Sequence, residues 1–360
     1  GAATLRCRAE RFLGGFDVSQ RCNSGRAAGR RAIQALTLSV IGALCLSGAA
    51  QARCSGVNML PKLTASHPQV MQQVRVAADK IINARAILWR VDKPGKAPSH
   101  LFGTMHVSDP RITAMPAAAR TAIEQSRTVA LEIADVSPGA MLKAVGKVPQ
   151  LMIYMDGSRL EQKLTQAEYK QVSGLLTNAG MPAEMAAVVR PWMISMVLAI
   201  PLCEQQRVAS GEVALDAAIG ALARKSSVPV VGIETVESQL TSLSGVPEVD
   251  QLAMLRVSLA FLAQREDMFE TLIQSYVKRD LGVVLALSKG LAKIAGLKAS
   301  GFASFSRELI AKRNHTMFER SRPLVDKGNA FIAVGAAHLI GATGLVALYR
   351  KAGFTVTALE

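Results

Sequence analysis

Two of the five histidines sit in matching strings, Gly103-Thr104-Met105-His106 and Gly335-Ala336-Ala337-His338. Each closes an apolar, strand-like run: Ser99-His100-Leu101-Phe102 before the first, Ala330-Phe331-Ile332-Ala333-Val334 before the second. A glycine at a strand end permits a sharp turn or a close backbone approach. A histidine just beyond it stands over the sheet edge, where open α/β folds keep their sites. Two such histidines can converge on one metal ion. The others promise less: His67 precedes Pro68 and reads as loop, His100 opens a strand and can face solvent, and His315 lies in the polar string Lys312-Arg313-Asn314-His315.

The carboxylates extend the pattern. Glu132 interrupts the apolar run Val129-Ala130-Leu131-Glu132-Ile133-Ala134. A charge there needs a partner, a metal or a shifted pKa; the plainest alternative is a salt bridge to a buried arginine. Glu234 ends Val230-Val231-Gly232-Ile233 in the same way, and Asp216 is a lone acid in Ala214-Leu215-Asp216-Ala217-Ala218. Glu237, one helical turn after Glu234, either supports the site or caps its helix and faces solvent. Arg313 can hold a carboxylate or steady an oxyanion, with Asn314 beside it; the bland reading is a solvated helix face.

Histidine and carboxylate donors suit Mn²⁺, Co²⁺ or Zn²⁺ with one position left open. Such an ion polarises a carbonyl and lowers the pKa of water. His106 and His338 are the candidate ligands or catalytic groups, and Glu132 is the most suspicious carboxylate. Gly103, Gly335, Asp216, Glu237 and Asn314 are expected supports. The H-E-x-x-H helix, the G-x-S-x-G elbow and the Walker loop are all absent from the sequence, which removes the usual zinc-protease, serine-hydrolase and P-loop readings.

Residues 53–84 read as mostly helical. Strands are expected at Ala86–Val91, His100–Met105, Thr128–Ile133, Val228–Ile233, Ala330–Val334 and Thr355–Leu359. The turn Asp92-Lys93-Pro94-Gly95-Lys96 makes a hairpin of the first two. Val228–Ile233 is almost wholly apolar, as suits a central strand covered on both faces. Helices are expected at Pro116–Ser126 and Gly341–Ala352. Longer helical insertions span about 140–224 and 236–325. Within the first, Met185–Leu202 is apolar but broken by Arg190, Pro191 and Pro201, so it reads as a buried helix and not a membrane span. The order predicts an α/β core with helical insertions.

Half of the residues are hydrophobic and 19% are charged, enough apolar material for a large core. The formal charge is +15 with aromatics at 4%. No clustered basic stripe with interleaved aromatics is present, so a nucleic-acid partner is not expected. Residues 1–52 read as an N-terminal extension plus an export signal. Arg26, Arg30 and Arg31 precede the apolar run Ala32–Gly48, and Ala50-Gln51-Ala52 offers a cleavage site after Ala52. The expected location is periplasmic or secreted, with no membrane span after cleavage; the alternative is an uncleaved signal anchor. Beyond that segment only Cys54 and Cys203 remain. In an oxidising compartment they are expected to form a disulfide, the alternative being two buried thiols.

With these motifs assembled, the chain resembles the TraB/GumN family, which includes the TIKI metalloproteases. The resemblance rests on Leu88-Trp89-Arg90-Val91, Leu101-Phe102-Gly103-Thr104-Met105-His106 and Leu131-Glu132. It continues through Arg190-Pro191-Trp192, Leu215-Asp216, Val231-Gly232-Ile233-Glu234-Thr235-Val236-Glu237-Ser238-Gln239-Leu240 and Arg313-Asn314. It closes with Val334-Gly335-Ala336-Ala337-His338-Leu339, Gly341, Gly344-Leu345 and Gly353-Phe354-Thr355-Val356. It implies an erythromycin-esterase/ChaN-like α/β fold, a mixed sheet flanked by helices, as a single domain over residues 53–360. From the TIKI branch it implies metal-dependent peptide cleavage, with His106, Glu132 and His338 as the metal or catalytic set and Glu234, Asp216 and Arg313 as supports. The expected function is therefore an exported metal-dependent hydrolase acting on a peptide or protein, in which Glu132 or Glu234 takes a proton from water and Arg313 stabilises developing negative charge. Two alternatives stand beside it: a non-catalytic periplasmic module that sequesters a peptide, haem or metal, and a metal-independent esterase with His106 as base.

Overall fold

The computed structural model describes residues 54–299 and 301–360. Each expected strand forms: β1 Leu88–Asp92, β2 Ser99–Thr104, β3 Thr128–Leu131, β4 Val230–Gly232, β5 Ala330–Gly335 and β6 Thr355–Ala358. They make one mixed sheet in the order β4-β3-β5-β2-β1-β6. β4, β3, β5 and β2 are mutually parallel, while β1 runs antiparallel to both β2 and β6. The fold is thus α/β with a mixed sheet flanked by helices. The expected signal segment 1–52 lies outside the described residues.

β5 is the centre because its run Ala330-Phe331-Ile332-Ala333-Val334 is wholly buried. A strand covered on both faces has no polar alternation to keep. Phe331 packs against Phe102 of β2 with ring centroids 5.8 Å apart. Burying side chains of this size contributes roughly 1.5–3 kcal/mol each. The helix Leu215–Lys225 turns Leu215, Ile219 and Ala223 into this core, and Ala117–Gln125 adds Ala119 and Ile123.

One strand departs from expectation. Val228–Ile233 does not hold the middle of the sheet. β4 is an edge strand, with Val231 37% exposed and Gly232 open to solvent. The apolar run misled because its buried members, Val228 and Ile233, flank the paired residues instead of lying among them. The stretch Met185–Leu202 is also not one helix. It divides into the 3₁₀ turn Ala183–Ala187, the helix Pro191–Ala199 and the start of Leu202–Ala209. Pro191 and Pro201 set the breaks, since proline opens a helix more readily than it continues one. Among the described residues, no helix is long and apolar enough to cross a membrane.

Helices fill the chain between β3 and β4, from Pro138–Gly146 through Leu215–Lys225, and between β4 and β5, from Val236–Ser244 through Lys312–Asp326. Cys54 and Cys203 form the expected disulfide, tying the segment before the first described helix to the helix Leu202–Ala209.

Candidate functional site

The parallel strands deliver their following residues to one edge. His106 comes two residues after β2, Glu132 directly after β3, and Glu234 two after β4; His338 closes the 3₁₀ turn Ala336–His338 after β5. Register does the rest. Leu131 pairs with Ala333, so Glu132 comes alongside the end of β5. Its Oε1 accepts the Gly335 backbone N–H at 2.7 Å. Leu131 also pairs with Gly232, and the Glu234 N–H donates to the Glu132 carbonyl at 2.8 Å. Gly103 permits the approach of the histidine turn: a Cβ there would stand 3.0 Å from the Ala336 Cα.

Two carboxylates share one cation. Arg313 Nη2 donates to Glu132 Oε2 at 2.7 Å and to Glu234 Oε2 at 2.5 Å, and its Nε reaches Glu234 Oε1 at 3.0 Å. Gln239 Nε2 bridges the same pair, at 2.8 Å to Glu132 and 3.1 Å to Glu234. Arg313 begins the helix Lys312–Asp326 directly after a π-helical turn, Ser306–Ala311, a feature common at functional sites. Burial alone would raise the Glu132 carboxyl. The fields of His338, His106 and Arg313 and the Gly335 N–H outweigh it and hold Glu132 down at about 2. Burial likewise works against the Arg313 charge, but Glu234 and Glu132 overcome it and keep the guanidinium ionised.

The two histidines are oriented from behind. His338 Nδ1 lies 2.6 Å from Asn314 Oδ1, while the Asn314 amide nitrogen donates to the Thr343 carbonyl at 2.8 Å. That second bond assigns the amide, so Nδ1 carries the proton and Nε2 offers its lone pair. His338 Nε2 stands 3.8 Å from Glu132 Oε1. Burial lowers the His338 pKa to about 4, so the ring is neutral at pH 7 and this contact is not an ion pair. His106 Nδ1 lies 2.7 Å from Asp216 Oδ2, and Asp216 Oδ1 accepts from the Thr104 hydroxyl at 2.7 Å. Burial pulls His106 down, but the charge and hydrogen bond of Asp216, with Glu132, outweigh it and raise the imidazole to about 9. Crowded as it is by protein atoms, the His106 side chain stays 60% accessible, because it lines an open pocket.

Gly335 marks where these groups meet. A Cβ placed on it would lie 3.4 Å from Glu132 Oε1, 3.5 Å from His338 Cδ2 and 3.6 Å from His106 Nε2. Two imidazoles with hydrogen-bonded outer nitrogens and one carboxylate oxygen are a donor set that suits a divalent ion. The donors stand apart rather than closed on a point: among the described residues, no three His, Cys, Asp or Glu side chains form a ready metal-holding group. The pocket over them has a volume of about 390 Å³.

The chain matches the TraB/PrgY/gumN family over residues 87–358. It belongs to that family. No curated protein and no solved structure matches it. The TraB/PrgY/gumN match spans every strand of the sheet, and so every residue gathered at its edge.

Of the residues expected from this TraB/PrgY/gumN sequence, His106, Glu132, His338, Glu234, Arg313, Asp216, Asn314, Gly103 and Gly335 come together. Glu237 does not; it pairs with Lys147 at 3.0 Å on the outer side of its helix. His315 is exposed, as expected. Three participants had no expected role: Gln239, Thr104, and Tyr276, whose hydroxyl donates to the Gly103 carbonyl at 2.7 Å. Gln239 was detectable in principle, since it lies five residues after Glu234 in the first turns of the next helix. Tyr276 gave no signal, because nothing local ties its helix to β2.

Proposed function

We propose that this chain is an exported, divalent-metal-dependent hydrolase acting on peptide bonds. The observation that carries the reading is the convergence of His106 Nε2, the His338 ring and Glu132 Oε1 around the empty side-chain position of Gly335. These three residues would hold the ion. Such an ion supplies Lewis acidity toward a carbonyl and a lower pKa for nearby water.

The chain's own groups supply the rest. Asp216 and Asn314 fix both imidazoles with Nε2 toward the pocket. His338 is neutral and ready to donate its lone pair, whereas His106 holds a proton that must leave when an ion binds. Glu234 receives Arg313 and Gln239 on its oxygens, so it positions Arg313. Glu132 keeps Oε1 facing the histidines, as a donor to the ion, while Oε2 stays on Arg313 and Gln239. Arg313, clamped between two carboxylates, sets the position of Glu132. Export is supported by the basic and apolar pattern of residues 26–52 and by the disulfide, which persists in oxidising compartments.

The test is a peptide-library digest by the purified chain with Mn²⁺, Co²⁺ or Zn²⁺, with and without chelator, beside His106→Ala and His338→Ala. Metal-stimulated cleavage lost in both folded variants is the expected result. Unchanged turnover in both would sink the hydrolase reading. Peptide capture without product would favour the sequestering module.

A further inference from the structure

The pocket over the site has two chemically distinct halves. Its floor is polar and charged: His106, Glu132, Arg313 and His338. Its wall is hydrocarbon, built from Leu243, Leu272, Leu281, Leu285, Phe305 and Ile310. None of these six lies on a strand. All come from the second helical insertion, from helices Val236–Ser244, Arg265–Val277, Leu281–Ile294 and Gly301–Phe305 and the π-turn Ser306–Ala311.

Leu243, Leu272, Leu285, Phe305 and Ile310 are only partly buried. They present apolar surface to the pocket that the protein itself does not cover. No Lys, Arg, Asp or Glu of the lining stands outside the floor. A charged side chain entering the wall would lose water and find no partner, while an apolar one would gain by burial. A volume of about 390 Å³ lies at the small end of ligand pockets, roughly 300–1,000 Å³. That is room for one large side chain and a stretch of backbone, not for a folded domain.

We propose that this wall is the recognition pocket for a large apolar side chain, Leu, Met or Phe, of the peptide substrate, beside the bond lying over His106 and His338. Charged side chains are excluded at that position. The proposal rests on the peptide-hydrolase reading for its substrate class, while the recognition step needs no cleavage. Discrimination of Leu over Ala is expected to reach at least about tenfold, as a few methylenes in an apolar pocket allow.

The experiment has a binding arm and a cleavage arm, both on the purified full chain. In the first, N-acetyl-phenylalaninamide, N-acetyl-lysinamide and decanoate are titrated by ligand-observed NMR against wild type and Leu285→Trp. Leu272→Trp fills the same wall from another helix and replaces Leu285→Trp if circular dichroism shows that variant unfolded. The expected result is binding of the phenylalanine amide alone, weakened at least about tenfold by the tryptophan. In the second arm, library products are expected to carry Leu, Met or Phe at one fixed position beside the cut. Apolar binding with no cleavage in any condition would leave the pocket standing and overturn the hydrolase. Equal binding of the lysine amide, binding of decanoate alone, or cleavage without apolar preference would overturn the pocket.

Discussion

The Gly335 backbone N–H and Glu132 Oε1 meet at 2.7 Å across the ends of β5 and β3. This bond draws the carboxylate over the one residue at the strand end that has no side chain. Gly335 has φ −50° and ψ 135°, which any residue adopts. Neither the backbone nor the fold therefore requires glycine here, since a Cβ would make only ordinary contacts, with Glu132 Oε1, the His338 ring and His106 Nε2. Gly335→Ala should keep the melting temperature within about 4 °C of wild type, while the methyl fills the space between the three donors. Metal affinity and turnover are expected to fall at least about tenfold together. A variant that binds and turns over as before would show that the donors do not act at this point.

Arg313 gives a stability test independent of any ion. Removing it leaves Glu132 and Glu234, both nearly buried, facing each other without their cation. Breaking a buried pair from one side costs about 3–5 kcal/mol. Arg313→Met should therefore lower the urea midpoint sharply. Glu234→Gln on that background should restore part of the loss, because it removes one of the stranded charges. Arg313→Lys should rescue poorly, since an ammonium cannot reproduce the forked contacts. If the double variant is no better than Arg313→Met, the clamp is not what stabilises this edge.

Asn314 holds the proton of His338 away from the pocket. Asn314→Ala should free the ring to turn and to change tautomer, with a loss of about 10–100-fold in metal affinity, the range for residues that orient ligands from behind. Asp216→Asn is expected to act similarly on His106. Isothermal titration with Mn²⁺, Co²⁺ or Zn²⁺ reads both. Unaltered affinity in the folded variants would separate these hydrogen bonds from metal binding.

Much of the site was legible because its residues violate their surroundings. Glu132 is a charge in an apolar run, and each histidine follows a glycine at a strand end; such exceptions need a reason. The sheet was legible for a related reason, since the buried strands are short apolar runs bounded by turns. What the sequence hid is contact between elements. Nothing local distinguishes an edge strand from a central one when its flanking residues are buried, as with Val228 and Ile233. Glu237 looked equivalent to Glu234, but Glu234 precedes the helix Val236–Ser244 and stays at the strand end, whereas Glu237 lies in the first turn of that helix and pairs with Lys147. The hydrocarbon wall was hidden too, because Leu272, Leu285 and Phe305 look like ordinary core residues in their own helices.

Asp109 supplies the pH dependence to measure. It follows His106 by three residues, and its carboxylate receives Arg111 Nε and Nη2 at 2.9 Å and Arg207 Nη1 at 3.1 Å. Burial pushes its pKa up, but the Arg111 side chain and backbone and Arg207 prevail, bringing it from 3.8 down to about 2. A carboxyl depressed in the folded state stabilises fully above its unfolded value and loses that contribution as pH falls through its folded value. The stabilisation should thus be complete above pH 4 and fade toward pH 2, amounting to on the order of 1–2 kcal/mol. Melting curves of wild type and Asp109→Asn should differ most at pH 5–6 and converge near pH 2. The same variant should loosen the 107–111 segment and, through it, His106, so that metal affinity falls modestly at neutral pH. A gap between the two melting curves that stays constant down to pH 2 would mean that Asp109 contributes through packing and not through its charge.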